Sequence, residues 1–205
     1  MEQGLFEEGY RGKPNTQFAY AFYKKAIEHQ KGGVREAHQK FGEYYQFGKH
    51  VNKNVGMAKR SMEEAAADGS LLAMNSLGSI FYNEDKDYYQ AAEWFRKAAD
   101  KGFTRAINNL GSCYEFGHGV KQDRDLAFKL YKEAAEKGYK EAMLNLAHMY
   151  FQNAQSAQNN ELYKESANWY RTLIMEDPSL NAPFFYLGQM HEFGFGVTKD
   201  LRSAF

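Results

Sequence analysis

The sequence predicts an all-α protein, an alpha-alpha superhelix (solenoid) of about six stacked antiparallel helix pairs, and three observations predict it. A small-residue column recurs as Ala19, Ala58, Ala91, Ala127, Ser166 and Ala204, at spacings of 39, 33, 36, 39 and 38 residues. A period near 36 is that of stacked helical hairpins. Two aromatic columns keep step with it: Phe6, Tyr45, Phe81, Tyr114, Tyr150 and His191 in the first helix of each pair (helix A), and Tyr23, Met62, Phe95, Tyr131 and Tyr170 in the second (helix B). A column of helix-capping residues stands four positions before the small one, as Asn15, Asn54, Asp87, Asp123 and Asp200, absent only from the fifth copy.

The best-formed copy, 106–138, explains the columns. Ala106, Leu110 and Tyr114 lie four apart with Ile107 and Cys113 beside them, a spacing that puts all five on one helix face. After Gly117-His118-Gly119-Val120, Asp123 stands where a cap accepts backbone N–H bonds and opposes the helix dipole. Ala127, Leu130, Tyr131, Ala134 and Ala135 then form a second stripe, and Gly138 falls where a helix end needs positive φ.

The first copy, 1–32, begins inside helix A and continues to a helix B with Ala19 and Tyr23. The second (33–69), third (70–102) and fourth (103–138) are complete; the third shortens its loop around Asn83-Glu84-Asp85. The fifth (139–177) inserts the polar run 152–160, which reads as a flexible surface loop or, alternatively, a finger that contacts a partner. Glu176-Asp177-Pro178 and Pro183 mark an irregular junction before the last copy (178–205), which stops as its helix B begins. Residues 1–205 therefore form a single solenoid domain without polar capping elements. This predicts a segment of a longer array, or ends that associate with one another.

Gly42, Gly78, Gly111 and Gly188 fall inside helix A, where glycine costs about 1 kcal/mol relative to alanine. Close approach of helix B is the expected compensation.

Composition excludes several functions. Apolar residues make up 43% of the chain, enough for a substantial interior, and 26 Lys and Arg balance 26 Asp and Glu. A net charge of zero argues against nucleic acid, whose affinity needs a cationic surface. A single cysteine and the lack of any Asn-x-Ser/Thr acceptor give no sign of an oxidising, glycosylating compartment. With no apolar run of membrane length and no signal-like start, the expectation is a cytoplasmic protein without direct membrane contact; ER lumen or secretion stays open if the chain is a piece that has lost its signal.

The motif Ala106…Leu110-Gly111…Tyr114…Gly117-x-Gly119-Val120…Asp123…Ala127…Tyr131…Ala134-Ala135…Gly138 resembles the Sel-one-like repeat (SLR), a relative of the tetratricopeptide (TPR) repeat with a longer loop between its helices. The match recurs in Leu187-Gly188…Gly194-Phe195-Gly196-Val197…Asp200…Ala204. Departures are Met62 and Leu173 in helix B, Ala147 for glycine, His191 for the aromatic, and the lost Gly-x-Gly of copies three and five. The resemblance implies a right-handed superhelix whose A helices line a concave surface, and an adaptor role in protein–protein interaction. It brings no catalytic residue and no cofactor.

Cys113, His118 and Asp123 carry the residue types of a nucleophilic set. Positions equivalent to Cys113 hold Leu5, Tyr44, Ile80, Met149 and Met190, so the cysteine reads as core. His191 reads as a packed ring, and the six histidines show no metal-binding spacing. The chain is expected not to be an enzyme and to hold no metal.

The remaining helix A positions read either as solvated polar faces or as a row that binds a partner. They are Gln39, Glu43, Asn75, Ser79, Arg105, Asn108, Asn109, Ser112, Glu115, Asn145, His148 and Gln189. By analogy with tetratricopeptide grooves they line the concave face, where carboxamides can bind the backbone of an extended peptide. The leading expectation is a scaffold for a protein or peptide partner along this groove. The alternative is a regulatory or substrate-recruiting segment of a larger enzyme whose catalytic domain lies outside the chain.

Overall fold

A computed structural model describes residues 16–29, 34–49 and 51–197, and the chain divides into two compact units, 1–103 and 104–205. Leu5, Phe6, Asn15, Asp200 and Ala204 lie outside the described residues. The first unit contains α1 (Thr16–His29), α2 (Val34–Phe47), α3 (Val55–Ala67), α4 (Leu71–Ile80) and α5 (Tyr88–Ala99). The second contains α6 (Thr104–Phe116), α7 (Arg124–Glu136), α8 (Lys140–Ala157), α9 (Asn160–Glu176) and α10 (Asn181–Phe193). The described regular structure is entirely helical, which makes the fold an all-α, TPR-like helical solenoid. Within each unit every helix packs on the next, most extensively in the hairpins α2/α3, α4/α5, α6/α7 and α8/α9.

The small-residue column is what lets these hairpins close. Ala58, Ala91, Ala127 and Ser166 are each 0% exposed. The helix A glycines meet the helix B aromatic column directly: a Cβ on Gly42 would lie 2.9 Å from Met62, on Gly78 2.5 Å from the Phe95 ring, and on Gly111 3.0 Å from the Tyr131 ring. The large residue thus fills the space that the absent side chain leaves, and burial of such a side chain offsets the glycine penalty by about 1.5–3 kcal/mol. Copy five solves the same contact differently. Ala147 replaces the glycine, and the column residue Ser166 donates its hydroxyl to the Ala147 carbonyl at 2.8 Å.

The predicted caps act as expected where they are described. Asn54, Asp87 and Asp123 each accept at Oδ1 from the backbone N–H three residues on, at 3.0, 3.0 and 2.9 Å. Each cap also ties the hairpin shut through its own N–H, which donates to the carbonyl of the aromatic column: Asn54 to Tyr45 at 2.9 Å, Asp87 to Phe81 at 3.0 Å and Asp123 to Tyr114 at 2.9 Å. The latch is the same although the connection between its ends differs in length. In copy three the short connection is a π-helical turn, Phe81–Asp85, ended by Lys86 at φ 58°. In copies four and six it is the glycine loop, with Gly117, Gly119, Gly194 and Gly196 all at positive φ.

The polar run 152–160 is not a flexible loop. α8 continues through it to Ala157, 18 residues in all, and only Gln158, at φ 50°, and Asn159 turn the chain. The apolar stripe Ala147, Phe151, Ala154 drives this extension: Ala154 is fully buried and Phe151 meets Tyr163 of α9 edge-on at 5.3 Å. The missing cap of copy five is supplied by Asn159, whose Oδ1 accepts from Glu161 and Leu162. Nor does the extended tip stand clear as a finger. Phe195, from the loop of the last copy, stacks on Tyr163 at 4.8 Å, and the Gly196 N–H donates to Asn160 Oδ1 at 3.1 Å.

Candidate partner-binding face

The polar positions of the A helices are built into each unit by short-range bonds. In the first unit, Ser70 caps α4 by accepting from the Ala73 N–H at 3.1 Å and donates its hydroxyl to Gln39 Oε1 at 2.9 Å, linking α2 to α4. Glu43 sits beside Gln39 and pairs with Lys40 at 3.3 Å. Ser79 donates to the Asn75 carbonyl, and Asn75 itself is buried, 4% exposed.

In the second unit, Asn145 Nδ2 of α8 donates to Asn108 Oδ1 of α6 at 3.0 Å, and Asn108 is 7% exposed. Asn75 in the first unit and Asn108 in the second are therefore each part of their own unit's floor rather than open polar surface. The half-buried Asn109, Ser112, Glu115, Asn145, His148 and Gln189, with the exposed Arg105, make up the accessible part. Sequence periodicity placed these residues on one strip of the helices. It did not distinguish floor from wall, because that depends on how closely the neighbouring A helix approaches.

Glu115 accepts from the Tyr131 hydroxyl at 2.8 Å. Burial first, and then the Glu115 charge, push the Tyr131 phenol far above its ordinary range, so it serves as a permanent donor. In copy five the residues equivalent to Ser112 and Glu115 are His148 and Phe151. The Tyr170 hydroxyl and His148 Nε2 are both buried without a hydrogen-bond partner. His148 lies edge-on to Tyr186 at 4.4 Å and to Tyr170 at 5.9 Å. Burial lowers its pKa, with Glu115 acting in the opposite direction. The Tyr139 hydroxyl lies beside both Arg105 and Glu141.

A cavity of about 330 Å³ opens next to this strip, lined by Lys140, Glu141, Leu144, Leu173, Asp177, Leu180, Asn181, Ala182 and Pro183. Two of these lie in columns the sequence follows: Leu173 departs from the Ala134 column, and Leu144 stands where Gln39, Asn75 and Asn108 stand in copies two to four. That apolar residue in a carboxamide column was the available signal for the cavity.

Cys113 is 0% exposed, and Asp123 uses its carboxylate to cap α7. Among the described residues no group of three or more His, Cys, Asp or Glu side chains is arranged to hold a metal ion. No described helix is long and apolar enough to cross a membrane.

Residues 4–30, 36–70, 71–103, 104–139, 140–172 and 185–205 each match the Sel1 repeat. The chain belongs to the Sel1 repeat family. Sel1 repeat proteins are in general non-catalytic scaffolds for protein interaction. The chain is similar to a crystallised protective antigen of uropathogenic Escherichia coli with an SLR fold (TM-score 0.86, 25% identity, covering 99% of this chain and 42% of the antigen). It is also similar to a crystallised Sel1 repeat protein from Oxalobacter formigenes (TM-score 0.80, 26% identity, covering 99% of this chain and 81% of the other). An uncharacterized protein of Neisseria meningitidis is 28% identical over 118 residues, 58% of this chain. The Sel1 chain spans 24% of the Neisseria protein's length and less than half of the antigen's.

Proposed function

We propose that this Sel1 repeat chain is a non-enzymatic scaffold that holds an extended peptide segment of a partner protein along the A-helix strip, with the second unit as the principal binding face. The observation that carries the reading is the Asn145–Asn108 bond at 3.0 Å. It fixes the accessible Asn145 carboxamide against the buried Asn108 of the adjacent A helix before any partner arrives. Pre-set polar groups bind a peptide backbone without the entropic cost of ordering flexible side chains. Asn109, Ser112 and Gln189 offer further neutral donors and acceptors beside them, and Arg105 and Glu115 supply charge at the margin.

The test uses substitutions at accessible positions, since Asn75 and Asn108 hold up the floor. A random dodecapeptide phage library is selected on the wild-type chain and on an Arg105→Glu/Gln189→Lys variant that melts at the wild-type temperature. Peptides enriched by the wild type and lost on the variant support the reading. No enrichment on the wild type, or the same peptides on both, removes it.

A further inference from the structure

From the cavity beside the strip, and resting on the peptide-scaffold reading, we infer that the second unit selects a particular peptide chemistry: a bulky aliphatic or aromatic residue with a basic residue next to it.

The cavity holds about 330 Å³, the lower end of the range of ligand pockets and ample for one large side chain. Leu144 and Leu173 close it from α8 and α9, while Leu180, Ala182 and Pro183 close it from the N-terminal end of α10. Leu144 has a positional meaning. Its place is taken by Gln39, Asn75 and Asn108 in copies two to four and by Phe185 in copy six, so the row of carboxamides that suits a peptide backbone gives way to apolar residues from copy five onward, and the first of these, Leu144, lines the cavity. A peptide extended along the strip meets amide-binding groups at Asn145 and a hole lined by apolar side chains directly beside them.

The mouth sets the charge. Lys140 Nζ is held by Asp177 Oδ2 at 2.9 Å, so this pair is internally neutral. Asp177 is further fixed by the Ser179 hydroxyl and N–H. Glu141, exposed at the rim, is the remaining charged residue of the lining, which thus carries one net negative charge; Arg105, which shares the Tyr139 hydroxyl with it, is not among the lining residues. A carboxylate beside an apolar pocket favours a Lys or Arg next to the buried side chain and disfavours Asp or Glu.

Burying one leucine-sized side chain raises affinity by about tenfold or more, which sets the scale of the test. Dodecapeptides recovered from the random library on the wild-type chain are synthesised with a fluorescent label and measured by fluorescence polarisation. Their consensus is expected to contain a Leu, Ile, Met or Phe with an adjacent Lys or Arg. Ala182→Trp, at an exposed lining position, should weaken binding by about tenfold by occupying the cavity, and Leu144→Asn should do the same by restoring the carboxamide of the column. Glu141→Lys should shift the neighbouring preference from basic to acidic. Circular dichroism melts of the three variants verify folding, and the exposed sites of Ala182 and Glu141 keep the test independent of the half-buried Leu144. A consensus without an apolar residue, or affinities unchanged in both Ala182→Trp and Glu141→Lys, overturns the inference while leaving the scaffold reading intact. Failure of the wild type to enrich any peptide overturns both.

Discussion

Gly78 and Phe95 share a space that only one of them can fill: a Cβ on Gly78 would stand 2.5 Å from two carbons of the Phe95 ring. Alanine there gains about 1 kcal/mol of helix propensity but forces a rigid ring out of its rotamer, at a cost of about 1–3 kcal/mol. Gly78→Ala is expected to destabilise the chain by up to about 2 kcal/mol in urea unfolding. Gly111→Ala, with the Tyr131 ring at 3.0 Å, should be near neutral, and Gly42→Ala should be tolerated best, because its neighbour is the flexible end of Met62. Equal effects at all three would mean that the ring contact does not set the column.

Removing a cap has a separate cost. Asp123→Ala deletes the acceptor of the Leu126 N–H, and Asn159→Ala the acceptor of Glu161 and Leu162. Each should lower stability by about 1 kcal/mol. Asp123→Asn, which keeps the acceptor, should lower it by much less, and the same unfolding assay distinguishes them.

Stability should fall in mild acid through His148. Its folded pKa is lowered by burial, so the unfolded chain, titrating near the ordinary value of 6.5, binds the proton more readily. The stabilisation is complete above pH ~6.5 and declines as pH drops below it. His148→Phe should flatten the melting temperature between pH 7 and 5. An unchanged slope would place the titration elsewhere.

Asp177 works in a lower window. The Ser179 hydroxyl and Lys140 hold its carboxyl at about 2, below its ordinary value of 3.8. The group therefore contributes above the unfolded value, and the contribution is lost as pH falls from near 4 through 2. Asp177→Asn should reduce the pH dependence of melting in that interval and not above pH 5.

Cys113 should be inert in the native state. It is 0% exposed, and thiolate chemistry needs access. Reaction with a disulfide reagent is expected at the rate of unfolding and to accelerate in urea; fast labelling of the folded chain would return the nucleophile reading to consideration.

The fold was legible because it repeats. One copy is ambiguous, but Ala58, Ala91 and Ala127 in register with Met62, Phe95 and Tyr131 specify both helices and the contact between them. Local chemistry was legible where a residue acts on its own backbone, as Asp123 does. Two features were not. The run 152–160 reads as polar, yet Phe151 and Ala154 carry the stripe onward, and the partner that buries Phe151 and Tyr163 is Phe195, more than thirty residues away. At the binding face, Asn108 and Asn109 are adjacent and chemically identical, and only the approach of Asn145 makes one of them floor.

The carbonyls of Tyr45, Phe81 and Tyr114 each receive a cap N–H, and the connection is shorter in the Phe81 copy than in the other two. With both ends pinned, the chain between them need not keep one length. Doubling such a segment adds only about 0.6 kcal/mol of closure entropy. Hairpin tips such as Gly119–Gln122 are thus graft points: a foreign epitope or recognition loop inserted there should leave the helices on either side intact, and the array can diversify outward without renegotiating its interior.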